Sequence, residues 1–489
     1  MAEPDGNYRD TDGQLDGAGR GGRLRRTGGA GRTGGAGQPG EAGRDTDGEH
    51  LVVHSVPVPD HGDLLRRLPD LAPAAWIRHG AGLAGWGEAA RVTLPAGEDR
   101  FTAGEKWLRE VFEGADIRDD ARRHGSGLVA FGSFTFDDCS EGSVLVVPRV
   151  VIGRDGHGAA WLTTIVEQGS RATGDCGAEV GSATDFGTTP EGVRWHDGSL
   201  TAPEWEQAVA AAVERIKNGE LRKVVLARDL FASADAPIDP RVLLRRLAAR
   251  YPDCYTFACA GLVGATPELL IRRRGSEVSS LVLAGTKPRG ATPAEDTRLG
   301  EELTSSVKEN EEHRYAVASL REALAPLCQT LEVQKVPELI TYANVQHLGT
   351  RVHGTLAVNR SALALVAAVH PTAAVGGTPT STAVELIREL ENMDRERYAG
   401  PVGWMDAEGN GEWGIALRCA QIAGNRARLF AGGGIVAGSD PAAELAETQV
   451  KFRPMQTALE QADLSRLVGS CWIIERLTER PRYPNVTLR

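Results

Sequence analysis

An α+β fold is predicted by three features of the amino-acid order. Short runs rich in Val, Ile and Leu recur along the chain, long amphipathic helical patterns lie between some of them, and the two types are mixed rather than strictly alternating. The first 50 residues stand apart. They hold 15 of the 59 glycines, and Gly28–Gly37 nearly repeats itself. Such a segment buries too little apolar surface to offset its ordering entropy, so residues 1–50 are expected to be a disordered Gly/Arg-rich tail.

From Leu51 the pattern turns globular, and residues 51–168 read as a β-rich region. Leu128–Phe131 followed by Gly132–Phe136 reads as paired short strands around a glycine, and Val144–Ile152 as one further strand. Residues 169–200, rich in Gly, Thr, Ser and Asp, read as a loop or linker. A second region, 201–462, opens with a helix over Pro203–Lys217, whose Trp205, Ala208, Val209, Ala212, Val213 and Ile216 form one stripe. A strand follows at Lys223–Arg228 and a helix at about 239–250. Strands are expected near 255–260, 268–273 and 278–283, and helices at about 294–325 and 380–391. Strands return at 401–406, 412–422 and 426–432 before a last helix at about 441–461. Residues 463–489 form a C-terminal extension.

With 41% hydrophobic and 25% charged residues, the 489-residue chain has the composition of a soluble globular protein. Its net charge of −11 argues against a nucleic-acid surface. No apolar run reaches about 18 residues, so no membrane span is expected, and the N-terminus lacks the charged-then-apolar pattern of a secretory signal. The seven cysteines, at 139, 176, 254, 259, 328, 419 and 471, form no CxxC pair. That usage suits free thiols in a reducing, cytoplasmic setting.

Two acidic helical stretches carry the same spacing, Glu309/Glu312 and Glu444/Glu447. Residues three apart share a helix face. Four carboxylates around one cleft would suit Mg²⁺, a hard cation that keeps waters and accepts a substrate oxygen.

A series of short motifs then resembles the chorismate-utilising enzymes, the family of isochorismate, salicylate, anthranilate and aminodeoxychorismate synthases. The stretches are Lys223–Arg228, Ala265–Leu270, Leu283–Thr286, Glu312–His313, Val345–Leu348 and His370–Thr372. They continue with Tyr398–Gly403, Leu417–Ala420 and Ala431–Val436, leading into Glu444/Glu447. Each is weak alone, and their order over residues 201–460 is specific. The resemblance implies two packed antiparallel β-sheets surrounded by helices, with the active site in a cleft between layers.

By this resemblance Lys223 is the base that activates water for attack at C2 of chorismate, and Glu268 is the acid that protonates the departing C4 hydroxyl. Such an acid needs a raised pKa. Glu312 and Glu447 would bind Mg²⁺ directly, with Glu309 and Glu444 acting directly or through water. Arg418 and Tyr398 would hold one substrate carboxylate. A turn at Gly432, Gly433 and Gly434 would bring backbone N–H groups to the other, with Lys451 in reach. Gly285 and Thr286 would line the ring site, and His347 would lie near the reacting face.

Three positions separate the relatives. Lys223 fits the water-using branch, since anthranilate synthases usually carry glutamine there. Ala284 stands where aminodeoxychorismate synthases usually place a nucleophilic lysine. Ala374 stands where salicylate synthases tend to have threonine. The resemblance therefore implies an Mg²⁺-dependent isochorismate synthase without a glutaminase partner, as a monomer or weak dimer. Salicylate synthase is the alternative within the family, and a non-catalytic chorismate-binding homologue the alternative outside catalysis. Menaquinone is the expected destination of the product, with siderophore supply the other.

Overall fold

The computed structural model describes residues 50–60, 62–69, 72–168 and 189–460. All but the last residue of the expected tail, residues 169–188 of the expected linker, and the extension 463–489 lie outside the described residues. The helices are Arg100–Glu113 (α1), Ala202–Lys217 (α2), Pro240–Arg250 (α3), Pro293–Ser305 (α4), Val307–Leu324 (α5), Ala362–Val369 (α6), Thr380–Leu390 (α7) and Pro441–Glu460 (α8). In α2 the expected stripe from Trp205 to Ile216 is buried.

The strands form two sheets, of 13 and 10 strands, as the α+β reading expected. Their shared core includes the fully buried Phe131, Phe257 and Trp413. Pairing is mainly antiparallel, as between Lys223–Ser233 and Arg426–Ile435. One contact is parallel, between Leu51–Val58 and Asp116–Asp119.

Strand order reveals an internal duplication. The larger sheet runs Lys223–Ser233, Arg426–Ile435, Cys419–Ala423, Leu262–Thr266 and Tyr255–Cys259. It then continues through Ala74–Arg78, Ala81–Trp86, Val150–Arg154, Ala160–Glu167 and Leu51–Val58. The smaller sheet has at its centre Leu269–Arg274, Gly411–Ile415 and Pro401–Asp406, then Val129–Ser133, Ser143–Val147 and Ala90–Leu94. Each half threads eight of these strands in the same succession, and the halves meet through equivalent strands in both sheets. Even the second connection matches. His79-Gly80 and Ala260-Gly261 both have positive φ at each residue, which gives two-residue hairpin turns.

One large difference breaks the symmetry. Between its fourth and fifth strands the C-terminal half inserts Glu277–Pro288, Cys328–Val333, Glu338–Thr341 and Val345–Leu356, together with α4 to α7. The N-terminal half has only α1 and Asp116–Asp119 at that place.

Several expected boundaries shift. The run over 128–136 is one strand, Val129–Ser133, which pairs with Ser143–Val147 and Pro401–Asp406. Gly132 is a packing gap there and not a turn, since a Cβ would fall 2.6 Å from the Trp413 ring. The expected strand over 144–152 is two strands in different sheets, Ser143–Val147 and Val150–Arg154, separated by Pro148 and Arg149. Within the expected linker, Arg194–Asp197 is an edge strand on Lys223–Ser233. The helix expected over 294–325 breaks at Ser306, whose backbone is extended and whose hydroxyl accepts the Glu309 N–H at 3.3 Å. The strand expected over 412–422 divides at residues 416–418.

Candidate active site

The last two of these breaks build the site. Ser306 starts α5 afresh, so Glu309 lies in its first turn and Glu312 one turn on. The interruption at 416–418 places Arg418 at the head of a strand with φ +50, a conformation rare for residues other than glycine. Ala399, beside Tyr398, has φ +59. Both borders of the cleft are thus held by surrounding structure in unfavoured backbone.

One cleft, with about 70 Å³ of free volume, is lined by Glu268, Gly285, Thr286, Glu312, His347, Tyr398, Arg418, Gly432, Gly433, Gly434, Glu447 and Lys451. Ala284, Ala374, Val375 and Arg395 also face it. Lys223, Glu309 and Glu444 stand immediately behind this lining, in contact with it. A roomier cavity of about 430 Å³ opens near the seam of the two halves. There Arg272 already donates to Glu412 at 2.8 Å and to the Tyr255 hydroxyl at 2.9 Å. The narrower cleft is the candidate site, because buried titratable groups from six separate segments meet there.

Lys223 is fully buried, and its Nζ lies 3.2 Å from Glu312 Oε1 in a geometry that makes no hydrogen bond. Glu268 is buried too. Desolvation pushes its carboxyl up to about 8, against the opposing pull of Lys223 and Arg418. The raised pKa expected for an acid is therefore present. Among the described residues no hydrogen bond or ion pair takes the Arg418 guanidinium, so its donors remain for a ligand. Burial also pushes the Tyr398 hydroxyl up, so it keeps its proton.

His347 sits with Nδ1 3.0 Å from the Gly285 carbonyl and 3.2 Å from Thr286 Oγ1. Burial holds its imidazole down at about 3, so it is neutral, and its Nε2 has no partner among the described residues. With Nδ1–H donating to Gly285, the free Nε2 is an acceptor.

The Gly432–Gly434 run is a correction. It lies within the strand Arg426–Ile435 and pairs with Val225–Ala227, so it is no turn. What its missing side chains supply is room. A Cβ on Gly434 would fall 2.0 Å from Glu312 Oε1, and one on Gly433 3.0 Å from Glu444 Oε2. Across the cleft, a Cβ on Gly285 would fall 3.1 Å from Glu309 Oε2. Three glycines thus admit three of the four glutamates.

Each of those carboxylates has an internal partner. Lys451 pairs with Glu447 and donates to the Gly432 carbonyl at 2.8 Å. Lys308 donates to Glu444 Oε1 at 2.6 Å and lies 3.7 Å from Glu309. The Thr286 N–H donates to Glu309 Oε2 at 3.2 Å. Burial, with the neighbouring charge of Glu312, pushes Glu309 up to about 7. Burial and Glu447 likewise push Glu444 up, whereas Lys451 holds Glu447 down despite its burial. An all-oxygen set, buried at Glu309 and Glu444 and partly exposed at Glu312 and Glu447, that gathers three lysines around itself is short of positive charge, which fits a divalent hard cation. Asp137, Asp138 and Cys139 also cluster, but Arg388 occupies both aspartates at 2.6 and 2.9 Å.

Lys308, Glu391 and Arg395 escaped the sequence reading. Lys308 adjoins Glu309, so its neighbourhood was visible. Glu391 and Arg395 are spaced as an ordinary helix ion pair, and only burial distinguishes them.

Residues 77–460 match the family model described as chorismate binding enzyme. The isochorismate synthase MenF of Bacillus subtilis is 35% identical over 381 residues, covering 73% of this chain and 80% of that relative. The isochorismate synthase DhbC of Bacillus subtilis is 42% identical over 281 residues, covering 55% of this chain and 71% of that relative. The solved structure of MenF, the menaquinone-specific isochorismate synthase from Escherichia coli, superimposes with a TM-score of 0.71 at 28% identity, covering 84% of this chain and 95% of that one. With the match spanning both sheets and every segment of the cleft, the chain belongs to the chorismate binding enzyme family.

Proposed function

We propose that this chain is an isochorismate synthase that converts chorismate to isochorismate. The observation that carries the reading is a buried lysine and a buried, proton-retaining glutamate at one cleft whose discriminating positions, 284 and 374, are both alanine. Lys223 accepts a proton from water as its oxygen bonds to C2. Both ring double bonds move one position, the C4–oxygen bond breaks, and Glu268 gives the departing hydroxyl its proton. Water enters and water leaves, so the net change is an isomerisation. Arg418 and Tyr398 hold the enolpyruvyl carboxylate by charge-assisted hydrogen bonds. Lys451, beside Gly432, receives the ring carboxylate, while Thr286 and His347 border the ring.

Glu312 and Glu447 would hold Mg²⁺, with Glu309 and Glu444 in support, and the ion would supply positive charge to the ring carboxylate. The reaction needs no ammonia, hence no glutaminase partner. Among the described residues no helix is long and apolar enough to cross a membrane. Supply of menaquinone synthesis is the favoured role, because a relative that covers 73% of this chain carries the name MenF.

The test is product identification from purified protein with chorismate and Mg²⁺ and without ammonia. Isochorismate alone is expected. Salicylate with pyruvate would assign the other branch of the family, and binding without turnover would sink the enzymatic reading.

A further inference from the structure

The strand that begins at Lys223 has an irregular outer edge. On one side it pairs continuously with Arg426–Ile435. On the other side Lys223 and Val224 pair with Thr378 and Gly377, and residues 230–233 pair with Asp197–Arg194. Between these ends no strand among the described residues covers the edge. A buried backbone group left without a partner costs about as much as a lost hydrogen bond, so the gap must be filled.

Side chains fill it. Arg395 Nη2 donates to the Val225 carbonyl at 2.6 Å, and Glu391 Oε1 accepts the Ala227 N–H at 2.7 Å. The Trp205 indole donates to the Ala227 carbonyl at 3.3 Å. Arg395 is itself bound to Glu391, Nε to Oε2 at 2.9 Å and Nη2 to Oε1 at 2.5 Å. Its Nη1 donates to the Val375 carbonyl at 2.9 Å. The Phe136 ring covers the guanidinium at 4.2 Å. The side chains of Arg395 and Glu391 are 2% and 1% exposed, so water does not substitute for any of these bonds.

We infer that the Glu391–Arg395 pair is a positioning element for the reaction. It clamps the loop carrying Ala374 and Val375 onto the strand carrying Lys223, and so fixes the base relative to the opposite wall of the cleft. The Val225 N–H donates to the Gly376 carbonyl at 2.8 Å and the Arg222 N–H to the Thr378 carbonyl at 2.8 Å, which also tie these segments. Neither charge is free to act as acid or base, because each is consumed by the other and by the backbone. Arg395 borders the cleft, and four of its five N–H donors are taken by Glu391 and the Val225 and Val375 carbonyls.

The inference rests on the isochorismate synthase reading, and its test separates the two. Wild-type protein is assayed first for isochorismate. Two variants follow, Arg395→Lys and the double change Glu391→Leu with Arg395→Met. Arg395→Lys keeps the charge but cannot reach two carbonyls and a carboxylate at once. The double variant removes both charges at similar volume, a change that buried ion pairs often tolerate in stability. Both are expected to fold, with kcat about tenfold to a hundredfold lower, the scale of a misplaced reacting group. KM for chorismate and the Mg²⁺ requirement should stay within about twofold, since Arg418, Tyr398 and the glutamates are untouched.

A double variant with wild-type kcat overturns the clamp. So does loss of folding in both variants, which would assign the pair to stability alone. Equal loss of kcat and of chorismate binding overturns it as well. If wild type forms salicylate in place of isochorismate, the reading of the reaction fails, and the same split between kcat and KM on that product still decides the clamp.

Discussion

The two halves of the molecule thread the same strands in the same order, yet only one carries the cleft. The connection between third and fourth strands holds Glu268 in the C-terminal half and Glu88 in the N-terminal half. The connection between sixth and seventh strands holds Arg418 in one and Arg149 in the other. The residue types agree and the environments do not. Glu88 is half exposed and paired with Arg91 at 3.1 Å, and Arg149 is half exposed and paired with Glu167 at 3.4 Å. Glu268 and Arg418 lie beneath the insert of residues 277–390 and beside α8. Burial lets Glu268 keep its proton, and the insert supplies the burial. Chemistry here is a property of the covering layer as much as of the scaffold.

The strongest way to break this comparison is to remove groups that only the covered half can use. Lys223→Ala should lower kcat by about 10³-fold or more while chorismate binding persists in a calorimetric titration. Normal turnover would reject Lys223 as the base. Glu268→Gln should cost about 10²–10⁴-fold in kcat. The pH profile sharpens this point. Glu268 must carry its proton to give it away, and its carboxyl titrates at about 8. Wild-type kcat should therefore fall above that pH, and this alkaline limb should vanish in the residual activity of Glu268→Gln.

Smaller effects are expected at the carboxylates. Glu447→Gln should raise the Mg²⁺ concentration for half-maximal activity by at least about tenfold, and an unchanged titration would count against the ligand role. Lys308→Met removes a cation 2.6 Å from Glu444 without touching a carboxylate. Allowing for its partial exposure, an ion-pair term of about 1 kcal/mol corresponds to roughly fivefold tighter Mg²⁺ binding, with a lower melting temperature in EDTA. Calorimetry and a thermal melt would read both. The smallest effect belongs to the uncovered half, where Glu88→Gln and Arg149→Ala should each change stability by less than about 0.5 kcal/mol and leave kcat alone.

Much of the covered half was legible in the sequence, because its residues sit in short motifs whose order is specific. The glutamate pairs, Lys223, Glu268, Arg418 and Lys451 all reach one cleft or its immediate backing. Local conformation was less legible. Arg418 breaks an element whose pattern runs on without a signal, Ser306 is marked only by the Ser-x-x-Glu spacing of a helix start, and the glycine run at 432–434 reads as a turn until its strand partner is known. The duplication left no trace in the motifs. Its evidence is pairing between residues far apart in the chain, such as Phe257 with Trp76, and a pattern of nearest neighbours does not encode that. The Glu391–Arg395 pair was invisible for a related reason, since spacing alone does not distinguish a solvated helix pair from one that repairs a sheet edge.

The double anchoring of the strand at Lys223 also bears on motion. The Arg222 N–H donates to Thr378 and the Val225 N–H to Gly376, while the opposite edge is laddered to Arg426–Ile435. Amides so enclosed exchange with solvent only when a whole cooperative unit opens. In a deuterium-exchange time course this strand should be among the slowest segments of the chain. The start of α5 beyond Ser306, capped by a single 3.3 Å bond, should exchange early. Substrate entry and product exit would then be timed by the carboxylate wall, with the base as the stationary reference.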